Sequence, residues 1–254
     1  MYIDIHNHVL PEVDDGARNI SEAINLLKQA EQDGIEKLIL TPHYSENRFV
    51  NEKDSIIKPF FNLKQACLDN NINIELYLGS EILLSPNTSS LLKERKISTL
   101  NDSKYLLVEV YPISSYWLFN LKEELYNLSL DGYKVILAHP ERYDVTHNNP
   151  NFIYELVNDG HYMQINVNSL KPKHPNHKIV RKLLDANLVH FIASDAHSLH
   201  SRPLELSYGY DFLKKNYGKD YADKLFYQNQ LCVIKNENIE KGVISKIRKK
   251  LFFF

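Results

Sequence analysis

The stretch MYIDIHNHVLPEVDDG at the start of the chain holds two histidines and three aspartates. His6 and His8 are two apart, and Asp4 has the same parity. Read as a strand, this puts Asp4, His6 and His8 on one face and Ile3 and Ile5 on the other. Residues of the same types recur downstream: His43 in TPH, Glu81 in GSE, Glu109 in VEV, His139 in AHPER, and Asp195 and His197 in SDAH. Asp15, in the loop after the first strand, completes the set, although neighbouring Asp14 fits equally well on spacing. Five imidazoles and several carboxylates gathered without a cation would be costly, because like charges and desolvation both resist ionisation. Divalent ions remove that cost. A His-and-carboxylate mixture suits Mn, Fe or Zn better than Ca or Mg, which prefer oxygen alone. The lack of thiolate ligands argues against a structural zinc site.

Such residues must be carried to one place by the fold. Short apolar or alternating runs at 2–6, 36–41, 74–81, 105–110, 134–139, 162–167 and 189–194 read as strands. Helical spacing fills the gaps. In NISEAINLLKQAEQDG, Asn19 or Ser21 is the N-cap, Ile24, Leu27 and Ala30 form a stripe, and Gly34 is the stop. Leu118, Leu121, Leu125 and Leu128 form a second stripe before Gly132, and NFIYELVNDG ends at Gly160. Residues 54–69 read as a helix with Pro59 near its start or at a kink. IVRKLLDAN and LELSYGYDFLKK supply further helices. Seven strand–helix repeats predict a parallel α/β fold, with a closed barrel preferred over an open sheet. Six of the seven strand ends then deliver a His, Asp or Glu to the face where such barrels do chemistry.

Composition narrows the class. With 254 residues and no linker or low-complexity stretch, the expectation is one domain. A net charge of −2 leaves no basic footprint for nucleic acid. Cys67 and Cys232 form no CxxC pair, so a disulfide framework is not expected and a reducing cytoplasm is. No apolar run is long enough to be a transmembrane segment, and no signal-peptide pattern opens the chain.

HNH, TPH, GSE, HPER and SDAH, in that order, resemble the PHP (polymerase and histidinol phosphatase) superfamily. More closely, the chain resembles the manganese-dependent protein-tyrosine phosphatases of bacterial capsular and exopolysaccharide clusters, the CpsB/YwqE type. VDDG (13–16), RKISTLNDSKYLLVE (95–109), HPERYD (139–144), LVHFIASDAH (188–197) and SRP (201–203) carry the similarity across residues 1–235. The resemblance implies a distorted (β/α)7 TIM-like barrel of the PHP fold with three divalent metal ions, Mn in the first instance. By it, one ion takes His6, His8, Glu81 and Asp195, a second takes Glu81, Glu109 and His139, and a third takes Asp15, His43 and His197. Arg142 and Arg202 match the family's phosphate-binding arginines, and the family decides for Asp15 over Asp14. The implied partner is a phosphotyrosine protein, the tyrosine-rich tail of a bacterial tyrosine kinase that controls polysaccharide export.

The residues fit that chemistry. Metal coordination acidifies water, and guanidinium forks match phosphate oxygens. A phenolate leaves without strong acid help, so no general acid is nominated. Neither cysteine has an arginine six residues on, which excludes a CxxxxxR nucleophile loop. Asp4 has two readings: it orients a ligand histidine, or it binds backbone at a strand end. His147, His161, His174, His177, His190 and His200 fall off the strand-end pattern. The basic loop LKPKHPNHK reads as a solvated connection or as a device steering acidic substrates. The tail KIRKKLFFF reads as a last helical turn packed on the body, or as a membrane-surface or partner contact. Two other functions compete: a small-molecule phosphatase acting on histidinol phosphate, and a metal-stabilised binding module without turnover.

Overall fold

The computed structural model describes residues 1–111 and 115–248, the side chains of 115–119 excepted. The strands are β1 Tyr2–Asp4, β2 Ile35–Leu40, β3 His43–Tyr44, β4 Glu75–Leu78, β5 Glu81–Leu83, β6 Tyr105–Glu109, β7 Lys134–Ala138, β8 Tyr162–Asn166 and β9 Phe191–Ala193. Every pairing is parallel. One sheet runs β1-β2-β4 and the other β3-β5-β6-β7-β8-β9.

The two sheets are one succession interrupted twice. β2 and β3 are parts of one strand position broken at Thr41 and Pro42, and β4 and β5 are parts of another broken at Gly79 and Ser80. Pro42 has no N–H to donate to a ladder. A Cβ on Gly79 would lie 2.9 Å from a methyl of Leu100, so the break is also where chains approach most closely. Backbone bonds from Gly79 N to Leu40 O (2.8 Å) and from Glu81 N to Pro42 O (3.1 Å) carry the ladder across. At the far ends, His8 N donates to Ala196 O and Asp195 N to His6 O, at 2.8 and 2.9 Å. Asn7 and Ala196 form a parallel bridge there. Seven strand positions in chain order, with the first and last joined at one end, make a distorted (β/α)7 barrel.

Helices follow the predicted caps. Asn19 caps Ile20–Asp33 by accepting from Glu22 N, and Gly34 ends it at φ 94°. Ile24, Leu27 and Ala30 face inward as the stripe requires. Lys53–Asp69 contains Pro59, and Ser115–Leu130 buries Leu121, Leu125 and Leu128. The Leu118 side chain lies outside the described residues. No helix among the described residues is long and apolar enough to cross a membrane. The expected last helical turn is not seen in the described part of the tail: helix ends at Ile234, and Lys246–Arg248 run irregularly with Ile247 against the core. Residues 249–254 lie outside the described residues.

Alternation along the strands sorts two apolar layers. Leu106 and Val108 of β6 join the larger cluster, which packs the sheet against its helices. Tyr105 and Leu107 join a smaller one with Ile3, Ile5, Ile39, Ile136, Tyr162 and Phe191, closed at one end by Leu100, Val233 and Ile239. Glu109 continues the parity of Tyr105 and Leu107 toward the other end of the strand. The inner side of β6 therefore runs from apolar to charged along its length.

Candidate metal centre

All nine predicted ligand residues meet at the C-terminal ends of the strands. Glu81, 1% exposed, lies at their centre. Its Oε2 is 3.2 Å from His6 Nε2, 3.3 Å from His8 Nε2 and 3.0 Å from His43 Nδ1, and its Oε1 is 3.0 Å from His139 Nε2. Asp195 Oδ1 faces His6 Nε2 and His8 Nε2 at 3.5 and 3.6 Å. Glu109 lies 3.8 Å from both His43 and His139. Asp15 Oδ1 is 3.5 Å from the Nε2 atoms of His43 and His197. Three ligand-type groups close to within a metal's reach: His8, Asp15, His43 and His197; His6, His8 and Glu81; His43, Glu81 and Glu109.

The backbone is bent to make this possible. His139 and Asp195, just past the ends of β7 and β9, hold left-handed φ angles of 33° and 52°. Such non-glycine conformations cost on the order of 1–3 kcal/mol each and persist only where surrounding bonds dictate them. VDDG works differently. A Cβ on Gly16 would lie 2.0 Å from His8 O, so only glycine lets the loop fold back onto His8. That return brings Asp14 Oδ2 to 2.7 Å from His8 Nδ1, while Asp15 faces the cluster. Asp14 also accepts from the backbone N–H of Gly16 and His43.

The bonds around the rim fix which ring nitrogens face inward. Asp195 Oδ2 accepts from Asn166 Nδ2 (2.7 Å), Asn166 Oδ1 accepts from Gln164 Nε2 (2.9 Å), and Gln164 Oε1 therefore accepts from His6 Nδ1 (2.8 Å). His8 Nδ1–H donates to Asp14 and His197 Nδ1–H to Asp195 O. Three imidazoles thus turn their Nε2 lone pairs into the cluster, as ligand histidines do. His6 Nε2 and His8 Nε2 are 3.4 Å apart. Two lone pairs facing each other at that distance need a cation or a proton between them. Glu81 Oε2 has no hydrogen-bond donor, although it is buried. The donor set and its geometry fit divalent ions.

Charge balance points the same way. Burial pushes the His6 imidazole down, but Glu81 and Asp195 outweigh it and raise it to about 9. His8 is likewise raised, against burial, by Asp14 and Glu81. Glu81 is held well below the usual carboxylate range, against its burial, by His6 and the other histidines. Glu109 is pushed up by burial and by Glu81. Without metal, protons on His6 and His8 balance the carboxylates; a divalent ion held by these residues would take the place of those protons.

A cavity of about 210 Å³ opens on this cluster and is also lined by Arg142, Arg202, Phe49 and Tyr111. Arg142 and Arg202 each reach Asp195, at 3.2 and 3.5 Å, and are 48% and 39% exposed. Phe49 stacks on His43, with centroids 5.4 Å apart and planes 8° off parallel.

A family model described as capsular polysaccharide synthesis, CpsB/CapC, matches residues 2–235. The chain belongs to the CpsB/CapC family. CapC of Staphylococcus aureus is 35% identical over 256 residues, covering 99% of this chain and 98% of that one. The tyrosine-protein phosphatase CpsB of Streptococcus agalactiae is 32% identical over 244 residues, 93% of this chain and all of the relative. A crystal structure from work on Bacillus subtilis YwqE and Streptococcus pneumoniae CpsB, described as metal-dependent tyrosine phosphatases, superposes with a TM-score of 0.90 at 29% identity. It covers 97% of this chain and 100% of its own.

Within this CpsB/CapC chain, Asp4 takes the second of its two readings, binding backbone at a strand end rather than orienting a histidine. β1 stops at Asp4, although Ile3 and Ile5 still join one apolar cluster as alternation expects. The Asp4 carboxylate accepts from Ser194 N and Oγ and from His6 N, and touches no imidazole. It ties β1 to the end of β9, while the partner of the His6 ring is Gln164. Gln164, Asn166 and Glu141 brace the cluster through hydrogen bonds, and spacing alone did not single them out. The signal was there: Gln164 and Asn166 are polar residues of one parity in YMQINV, an otherwise apolar strand. Glu141, fully buried in HPER, accepts from Asn166 N and Ser169 Oγ and so props the same network.

Proposed function

We propose that this chain is a metal-dependent protein-tyrosine phosphatase, with its chemistry at the Glu81-centred cluster. His6, His8, Glu81 and Asp195 would hold one divalent ion, Glu81, Glu109 and His139 a second, and Asp15, His43 and His197 a third. Manganese is the first choice, with iron or zinc compatible with the same donors. When bound, such ions neutralise charge on phosphoryl oxygens and acidify water toward a pKa of ~7. Arg142 and Arg202 bind the remaining phosphate oxygens. Both are half-exposed, both enter the cavity, and a guanidinium presents paired donors to a tetrahedral anion. Asn166 and Gln164 keep Asp195 and His6 in place while charge shifts. Phe49 and Tyr111 offer aromatic surface at the mouth to the substrate ring. The leaving phenolate, pKa ~10, departs without a dedicated acid.

The observation that carries this reading is the convergence of nine ligand-type side chains in one cluster, seven of them lining a cavity that Arg142 and Arg202 also enter. The tyrosine-phosphatase activity for which the relatives are named supports it. We take residues 1–254 as one phosphatase domain, with the motifs in 1–235 and a short tail in 236–254. The substrate is then the tyrosine-rich tail of a cytoplasmic kinase in capsular or exopolysaccharide synthesis, and the enzyme is cytoplasmic.

A substrate panel tests the reading. Manganese-loaded protein is expected to release phosphate from phosphotyrosine peptides at a kcat/KM well above that for phosphoserine peptides or histidinol phosphate. A preference for histidinol phosphate would make it a small-molecule phosphatase. No hydrolysis of any phosphomonoester would make it a binding module.

A further inference from the structure

A second cavity, about 490 Å³, lies against the first and shares Arg142, Asp195 and Arg202 with it. Its outer wall is Lys171 and His174, from the loop after β8, and Ser169 stands on its floor. Asp195 is the one carboxylate among its lining residues, and it already accepts from Asn166, Arg142 and Arg202. Three full cations face that one anion. The first cavity, by contrast, is lined by Asp15, Glu81 and Glu109 as well as Asp195, with Arg48 3.8 Å from Asp15.

The wall is built rather than loosely solvated. Lys171 and His174 each precede a proline, which restricts both to extended backbone. Lys171 sits at φ −67°, ψ 132°. His174 N donates to Lys171 O, and His177 N donates to His174 O, closing consecutive turns. Asn176 N donates to His174 Nδ1 at 3.2 Å. The neutral ring therefore carries its proton on Nε2, which makes no hydrogen bond among the described residues. Burial, Lys171 and Arg142 push His174 below the ordinary histidine value, so the ring serves as a neutral N–H donor. The Lys171 ammonium makes no ion pair among the described residues.

We infer that this second cavity is a subsite for an anionic side chain neighbouring the phosphotyrosine, held by Lys171 Nζ and His174 Nε2–H. The inference rests on the phosphatase reading for where the phosphotyrosine sits. The anion is a carboxylate of an acidic residue or a second phosphate. The cavity exceeds what one phosphate oxygen set needs, and it lies on one side of the arginines only, so the preference is directional along the peptide.

The test uses peptides carrying phosphonomethyl-phenylalanine, which cannot be hydrolysed. Three neighbours are compared: Gln, Glu and a second phosphotyrosine analogue. Fluorescence anisotropy on the manganese-loaded full chain is expected to give about tenfold tighter binding for an anionic neighbour than for Gln, the scale of one charge-assisted contact. The Glu and phosphate arms say which anion is preferred. The preference should collapse toward one in Lys171→Ala/His174→Ala and reverse in Lys171→Glu. Both positions are on a surface loop, and circular dichroism checks that the variants fold. Equal binding of all three peptides by the wild type, or a preference that survives the double variant, overturns the subsite. Turnover of p-nitrophenyl phosphate by the wild type reports separately on the phosphatase reading. Its absence would sink that reading while the binding ratios still decide the subsite.

Discussion

The two ends of the barrel are built from the same strands and obey opposite rules. Toward the N-terminal ends, Tyr105, Tyr162 and Phe191 fill the interior with Val233 and Ile239 beneath them. His161 and His190 at that end are buried and held neutral: burial, helped by Lys241, pushes them down to about 4 and about 3. At the C-terminal ends, carboxylates hold His6 up at about 9 although it is buried as deeply. Burial alone does not decide a histidine's charge; its neighbours do. One end lowers its free energy by excluding charge, and the other accumulates charge that a bound cation would offset.

Breaking the charged end should remove function and leave the fold. Glu81→Gln deletes the carboxylate shared by four histidines. Turnover is expected to fall on the order of 10³-fold or more, the several kcal/mol that metal-based charge stabilisation supplies. Metal content by mass spectrometry should fall with it, while circular dichroism stays native. Breaking the apolar end should do the reverse. Phe191→Ala opens a cavity in a side chain that is 0% exposed. It is expected to cost about 3–5 kcal/mol in urea unfolding, with per-molecule activity of the folded protein retained at low temperature.

Smaller changes sharpen the contrast. Asp14→Asn keeps shape but weakens the hold on His8 Nδ1–H. Manganese affinity should drop about 10–100-fold by isothermal titration, with little change in unfolding midpoint. A drop confined to stability would make Asp14 a loop anchor only. The smallest effect belongs to the neutral histidines. His190 has a folded pKa below its unfolded value of ~6.5, so its stabilisation is full above pH 6.5 and is lost as pH falls toward about 3. Between pH 7.5 and 5, wild type should lose about 2 kcal/mol more than His190→Gln, in which an amide oxygen can still accept from Met163 N. Parallel pH profiles would remove His190 from the acid response.

The strand positions were legible because each run of β-formers is short and bounded by a cap or glycine. Asn19, Gly34, Gly132 and Gly160 mark ends that the backbone then takes. The gathering of His6, Glu81, His139 and Asp195 was legible too, since strand ends of a parallel barrel share one face; their service as ligands remains our proposal. The break at Gly79 was not foreseen, because 74–81 reads as one run; the run at 36–41 stopped before Pro42, and the short strand His43–Tyr44 beyond it was not singled out. Of the two readings of Asp4, binding backbone at a strand end is the one found, and β1 lasts only three residues. Asp14 and Asp15 could not be separated by spacing. The separation comes from Gly16, whose missing Cβ lets the loop close on His8. Gln164 was passed over because its role depends on a chain of amides across β8, a long-range pairing no local pattern states.

The charged end must work as a metal centre for the phosphatase reading to hold. Chelated protein titrated with Mn²⁺, with bound metal and phosphate release from a phosphotyrosine peptide read on the same samples, tests this most directly. Release should be absent without metal and rise in step with ions bound at the Glu81 cluster. Undiminished release from the metal-free chain would contradict it.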